Sequence, residues 1–265
     1  MYSRFELALR YFTYYFTASN GKGHGMHSPF VFDFITKILN DKTGYSDYDK
    51  VEGIRRKLFY DETRLKIEEL GAGSTSGKTN LRSVASIARH AVKSKKYGQL
   101  LYRIVKYYQP GTIIELGTSL GVTSGYFSLA NPAARIFTLE GAPQIAAVAK
   151  QNFRTLELKN IKLVEGNFDY TLPAVLYQVP RIDLVFIDGN HRKEPTENYF
   201  HWLLSKIHND TILIFDDIHW SQEMEEAWEH IKSHLAVRCS IDLFFLGIVL
   251  FRQEFKARQH FKIWW

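Results

Sequence analysis

The sequence predicts an α/β fold: a Rossmann-like, doubly wound sheet of about seven strands, the last antiparallel, behind an N-terminal helical cap. Three observations predict it. After Pro110, short β-rich runs alternate with helical stretches of ordinary length, which implies a parallel sheet covered by helices on both faces. The first of these runs ends in a glycine-bearing loop that opens at once into a helix. The last two runs, 236–242 and 244–251, have almost no chain between them. A parallel crossover needs a dozen residues or more, so the last strand turns back antiparallel.

The elements follow in order. Apolar and aromatic residues recur at helical spacing through Phe5, Leu9, Phe12 and Phe16, and again through Phe30, Phe34, Ile35 and Ile38. Between them lies the Gly-rich stretch 21–25, and Ser28-Pro29 reads as a helix start, with Ser as cap and Pro in the first turn. A second Gly-rich loop covers 71–77, followed by helices over about 80–92 and 97–108. The strands are read at 112–116, 136–139, 161–164, 184–187 and 211–215, and the helices between and after them at 122–129, 143–156, 194–207 and 222–234. Residues 1–96 form the expected cap or substrate lid and 97–265 the catalytic sheet domain. The aromatic N-terminus is expected to serve as core or as a homodimer interface through its helices.

Composition narrows the function. Lys plus Arg is 34 against 28 Asp plus Glu, a net charge of +6 that a solvated basic surface explains without an anionic partner. An apolar fraction of 45% argues against disorder. A single cysteine, Cys239, excludes an intrachain disulfide and a thiolate zinc centre. The longest apolar run, 243–251, is about half of what a spanning helix needs, and no signal-peptide pattern is read at the start. The expectation is a cytoplasmic protein.

The chemistry is read from strand ends. In Glu115-Leu116-Gly117-Thr118-Ser119-Leu120-Gly121-Val122-Thr123, a buried strand meets a two-glycine loop and a helix start. Gly117 and Gly121 let backbone approach a ligand, and the free N–H groups of the helix start suit an anion. Glu140, some 20 residues on at a strand end, suits a ribose diol. Ser119 stands where the dinucleotide pattern needs its second glycine, which counts against NAD.

These residues resemble the first motif of class I S-adenosylmethionine-dependent methyltransferases, most of all the small-molecule O-methyltransferases, over about 100–252. The resemblance implies that Glu115, Gly117, Thr118, Ser119 and Gly121 surround the methionine part of the cofactor, with Thr123 beside them. Glu140 and Gly141 would hold the ribose. Asn167 and Phe168, in the place of the family's Gly-Asp-[Ala/Ser], would face the adenine.

Asp188 ends the fourth apolar strand, and Asp216 and Asp217 end the fifth. Three converging carboxylates repel one another unless a cation or proton intervenes. They offer oxygen ligands for Mg²⁺, which would acidify an acceptor hydroxyl; His191 or His219 would take its proton. The resemblance places Asp188 at the cofactor as well. Asp216-Asp217-Ile218-His219-Trp220 is similar to the Asp-Asn-x-x-Trp of catechol-type enzymes, with Asp217 for Asn. Asp188-Gly189-Asn190-His191 is similar instead to antibiotic-tailoring enzymes.

Two other signals are set aside. Residues 72–79 fit a relaxed phosphate-loop pattern, but the preceding text is charged and not strand-like. His24 and His27, spaced i, i+3, read as part of a mobile lid rather than a metal pair. The expected function is methyl transfer from S-adenosylmethionine to an oxygen of a small-molecule acceptor, with Mg²⁺ assistance as a further expectation. The alternatives are an RNA or protein methyltransferase, against which the absence of an RNA-binding module speaks, and a non-catalytic S-adenosylmethionine-binding protein.

Overall fold

The computed structural model describes residues 1–23, 28–67 and 81–265. The chain begins with α1 (Arg4–Thr17), β1 (Ser19–Asn20) and α2 (Pro29–Asp33), continued by a π-helical turn (Phe34–Leu39). Next come α3 (Ser46–Phe59), β2 (Arg64–Lys66), β3 (Leu81–Ser83), α4 (Val84–Ala91) and α5 (Lys95–Tyr108). The alternating part runs β4 (Thr112–Leu116), α6 (Val122–Ala130), β5 (Arg135–Glu140), α7 (Pro143–Thr155), β6 (Ile161–Glu165), α8 (Phe168–Gln178), β7 (Leu184–Ile187), α9 (Lys193–Leu203) and β8 (Ile212–Asp216). The chain ends with α10 (Gln222–Ser233), β9 (Cys239–Asp242), β10 (Leu246–Leu250) and β11 (Gln259–Trp264).

Packing divides the chain into two compact units, 41–175 and 1–40 with 176–265. This division differs from a cap ending at residue 96. The first 40 residues are tied to the C-terminus: the Trp265 indole donates to the Leu39 carbonyl at 2.7 Å, and the Tyr14 hydroxyl donates to the Ile263 carbonyl. Residues 41–96 instead pack with β4–β6, because α3 buries Val51, Ile54 and Leu58 where it meets α4 and α6.

In unit 41–175, β4 pairs with β5 and β5 with β6, all parallel. Ile113, Ile114 and Leu116 are fully buried, the pattern of a strand covered on both faces. At the end of α5, Gln109 takes a left-handed conformation (φ 48°) and Pro110 follows, which stops the helix. The helix expected from residue 80 starts only at Val84, because 81–83 pair antiparallel with 64–66. β2 is a short, largely exposed strand, not the buried parallel strand that a phosphate loop requires. The Gly71–Thr79 loop itself, with Lys78, lies outside the described residues, as do His24 and His27.

In the other unit, β7 and β8 are parallel and fully buried. β10 runs antiparallel to both β8 and β9, as the short 243–245 link requires. β11 then pairs parallel with β9, and β1 with β11. Gly247 of β10 is a packing glycine, since a Cβ there would lie 2.6 Å from the buried Trp228 ring. Among the described residues, no helix is long and apolar enough to cross a membrane.

Candidate active site

The glycine loop is a backbone structure. Gly117 (φ 103°), Ser119 (φ 48°) and Gly121 (φ 78°) all take positive φ, which folds the chain tightly between β4 and α6. The Gly117 and Thr118 N–H groups both donate to the Leu139 carbonyl at 3.0 Å. Gly121 is the N-cap of α6. A Cβ there would fall 2.5 Å from the Phe153 ring and 3.2 Å from Ala149, so this glycine makes room for α7. At Gly121 packing alone already demands the missing Cβ, whatever the loop holds.

Two glutamates brace the loop differently. Glu115 is wholly buried; its Oε2 accepts from the Thr138 hydroxyl at 2.6 Å and from the Ser124 hydroxyl. Thr118 joins through Thr138, Oγ1 to Oγ1 at 2.6 Å. Glu140 holds backbone instead: Oε2 accepts from the Ser119 N–H at 2.8 Å and Oε1 from the Ala142 N–H at 2.9 Å. Burial pushes the Glu140 carboxyl up, against the pull of N–H groups from Ala142, Ser119 and Gly141. Each carboxylate oxygen has more than one lone pair, so two hydroxyls of a diol can still be accepted. The Ser119 hydroxyl is buried with no hydrogen-bond partner among the described residues. Thr123 is buried in the first turn of α6.

The chain after β6 is anchored to Glu140, whose carbonyl accepts from the Gly166 N–H at 2.9 Å. Asn167 then caps α8, with Oδ1 accepting from the Asp169 N–H at 2.9 Å, and Phe168 opens that helix. The side-chain oxygen of Asn167 thus has a structural task at the start of α8.

The second group of candidate residues lies in the other unit. Asp216 ends β8 fully buried, and Asp188 follows β7. Asn190, in a left-handed turn (φ 59°), reverses the chain between Asp188 and His191. His191 Nε2 lies 3.5 Å from Asp188 Oδ1. Asp188, His191 and Asp216 each offer one ligand atom, all within 4.8 Å of one another. Burial disfavours the charged His191 ring, but Asp188, then Asp217 and Asp216, outweigh it and raise the pKa.

Two expectations are corrected here. Asp217 is not in the close trio; His191 is. Asp217 leaves the strand conformation (φ 52°), donating its N–H to the Phe245 carbonyl at 2.7 Å and accepting from the Trp220 N–H at 2.9 Å. His219 is not placed as a base. Its Nδ1 lies 3.0 Å from Glu225 Oε1 and its Nε2 3.0 Å from Asp242 Oδ2, with the ring stacked on Phe244. Burial opposes its charge, but these two carboxylates raise its pKa, and a ring that donates from both nitrogens has no lone pair for an acceptor's proton.

The trio is two carboxylates and an imidazole, a donor set that fits a divalent cation. The oxygens suit Mg²⁺ or Mn²⁺, and the ring nitrogen shifts the preference toward Mn²⁺, Fe²⁺ or Zn²⁺.

Residues 114–218 match a family model described as a methyltransferase domain. A human transmembrane O-methyltransferase is 33% identical over 95 residues, 34% of this chain and 33% of that one. A catechol O-methyltransferase of Mycobacterium tuberculosis is 29% identical over 136 residues, covering 51% of this chain and 60% of that one. The chain thus spans between one third and three fifths of the length of these relatives. Among solved structures, an SAH-bound methyltransferase of Podospora anserina covers 85% of this chain and 97% of its own, with a TM-score of 0.61 at 14% identity. A putative O-methyltransferase of Klebsiella pneumoniae covers 80% and 92% at 0.55 and 18%. At such identities the structures show the fold alone, the Rossmann-like fold read from the strand pattern.

Proposed function

We propose that this chain, in which residues 114–218 match a methyltransferase domain, moves a methyl group from S-adenosylmethionine onto an oxygen of a small molecule. The observation that carries this reading is the loop after β4. Its three positive-φ residues shape the turn, the Glu140 carboxylate tied to the Ser119 N–H keeps acceptor capacity, and the buried Ser119 hydroxyl has no hydrogen-bond partner among the described residues. The names of the relatives and the SAH in neighbouring structures support it.

The cofactor supplies a sulfonium methyl as electrophile. The chain's contribution is position and exclusion of water. The 117–119 N–H groups are spent on Leu139 and Glu140, so the N–H groups of the first turn of α6 would receive the cofactor's carboxylate, and Glu140 would accept from its ribose hydroxyls, on a loop that the Glu115–Thr138–Thr118 network keeps fixed. His191 accepts the proton of the acceptor hydroxyl, and Asp188 orients the ring and stabilises the resulting charge. Asp188 and Asp216 would hold a divalent cation, which would lower the pKa of a coordinated hydroxyl; His191 as a third ligand would have its lone pair on the metal, so its roles as ligand and as proton acceptor are alternatives. A buried, unpaired Cys239 is consistent with a cytoplasmic location.

Calorimetry with S-adenosylmethionine, with and without Mg²⁺ or Mn²⁺, tests the reading, followed by detection of SAH released with phenolic, sugar and lipid-like acceptors. Micromolar binding and acceptor-dependent release are expected. No binding at millimolar cofactor overturns it. Turnover unchanged by a chelator removes the cation and leaves His191 alone as the proton acceptor.

A further inference from the structure

α1 is built inside out. Successive residues are rotated about 100°, so Phe5, Leu9, Phe12 and Phe16 fall within an arc of about 60°. All four face solvent, at 73%, 53%, 62% and 68% exposure. The opposite side of the helix, centred on Leu7 and the buried Tyr14, faces the protein. That side is held by polar and ring contacts: the Tyr14 hydroxyl sits between the Ile263 and Asp242 carbonyls, Arg10 reaches both Glu225 oxygens at 2.8 and 2.6 Å, Tyr2 donates to Glu225 at 2.8 Å, and Tyr11 and Tyr14 pack on Phe244. A capping box, Ser3 with Glu6, fixes the first turn. An amphipathic helix normally turns its apolar stripe inward; this one is anchored with the stripe outward.

We propose that this stripe is the contact surface for a second copy of the chain, α1 against α1. The spacing 5, 9, 12, 16 is the 4-3-4 step of a helix-to-helix seam. It is self-complementary about a twofold axis: with the helices antiparallel, Leu9 of one copy meets Phe12 of the other, and Phe5 meets Phe16. Met1, Tyr15 and Trp264 are also exposed, and Tyr15 packs on Trp264 at 5.0 Å, widening the seam, while Tyr11 packs on Phe244 at 4.9 Å on the protein side. With them, the exposed area is roughly 800 Å² per copy, the size of one partner's share of a stable interface. A lipid surface fits less well. A membrane-lying helix is rich in Lys and Arg on its polar face, whereas α1 carries Arg4 and Glu6 of opposite sign, and Arg10 is bound to Glu225.

Sedimentation of the full chain from about 0.1 to 100 µM is the test. A dimer is expected, and Phe12→Glu should raise its dissociation constant at least 100-fold while the circular dichroism spectrum stays unchanged, since residue 12 is solvated in the single chain. Should Phe12→Glu fail to fold, cysteine pairing decides: a mixture of Leu9→Cys and Phe12→Cys chains should form a crossed disulfide faster than either alone. A wild type that stays monomeric at 100 µM, a Phe12→Glu variant that dimerises as before, or no preference for the crossed disulfide overturns the proposal. A monomer that floats with phosphatidylserine vesicles through Phe12 overturns it in favour of lipid.

Discussion

The two units carry their candidate chemistry in opposite ways. In 41–175 the instruments are backbone conformation and neutral hydroxyls: three positive-φ residues in five, a glutamate buried among Ser124, Thr138 and Thr118, and Glu140 holding backbone N–H groups. In 1–40 with 176–265 they are charges: Asp188, His191 and Asp216 close together, and His219 clasped by two more carboxylates. A site made of backbone shape tolerates few changes in chain geometry. A site made of charge tolerates them better but answers to protonation. The units should therefore fail in different ways.

The largest expected difference comes from glycines. Gly121→Ala places a Cβ at a positive φ and against Phe153, costing about 2–4 kcal/mol and removing cofactor binding altogether. Gly247→Ala drives a Cβ against Trp228 and costs a similar amount, yet a chain that still folds should bind cofactor within about twofold of wild type. Denaturant midpoints and calorimetry on both variants check this, and equal loss of binding would break the comparison. Next, Glu140→Ala should weaken S-adenosylmethionine binding about tenfold or more, the value of hydrogen bonds to a charged group. Asp216→Asn should leave that affinity within about threefold and lower kcat about 100-fold.

How far the sequence reached follows the same line. The strands 112–116 and 184–187 were legible to the residue because both faces are buried, the second as an unbroken apolar run and the first broken only by the buried Glu115 after Thr112 opens it. β11 was not, since only Ile263 of Gln259–Trp264 is buried and Gln259, His260 and Lys262 break up its apolar residues. α8 was hidden by Pro173, which reads as a breaker yet sits inside the helix. Glu140 and Asp216 stand out as candidates because they end strands, Glu115 and Asp188 because they lie one residue before and one residue after a strand end. The role of Gly121 was not, because its partner Phe153 is remote in sequence. Nor was the fate of Asp217 and His219: a left-handed turn at a non-glycine leaves no mark in the sequence, and His219 is paired to Asp242 in a strand across the next helix.

A pH effect of intermediate size separates the units further. His219 has a raised pKa in the folded chain, so its pairing contributes stability in full below the unfolded value of about 6.5. That contribution is lost as pH rises through the folded value. The melting temperature should fall by a few degrees across this window, and His219→Gln should flatten the fall. The loop of unit 41–175 titrates differently. Glu140 is raised from an acid value, so its stability term is lost as pH rises above about 4.5. A profile that falls above pH 6.5 equally in His219→Gln would place the response elsewhere.

The smallest effect is a reaction that should hardly occur. Cys239 lies fully buried in β9, between β10 and β11, and burial pushes its thiol up to about 12. At pH 8 the thiolate fraction is then about 10⁻⁴, against roughly a quarter for a free thiol of pKa 8.5, so alkylation is about 10³-fold slower even before access is counted. Labelling therefore reports opening of these strands rather than reactivity of the native thiol. The rate in iodoacetamide should stay near zero in buffer and rise with denaturant in step with the loss of structure. Rapid labelling in buffer would mean that β9 frays on its own, and that the unit bearing the charged residues is the looser of the two.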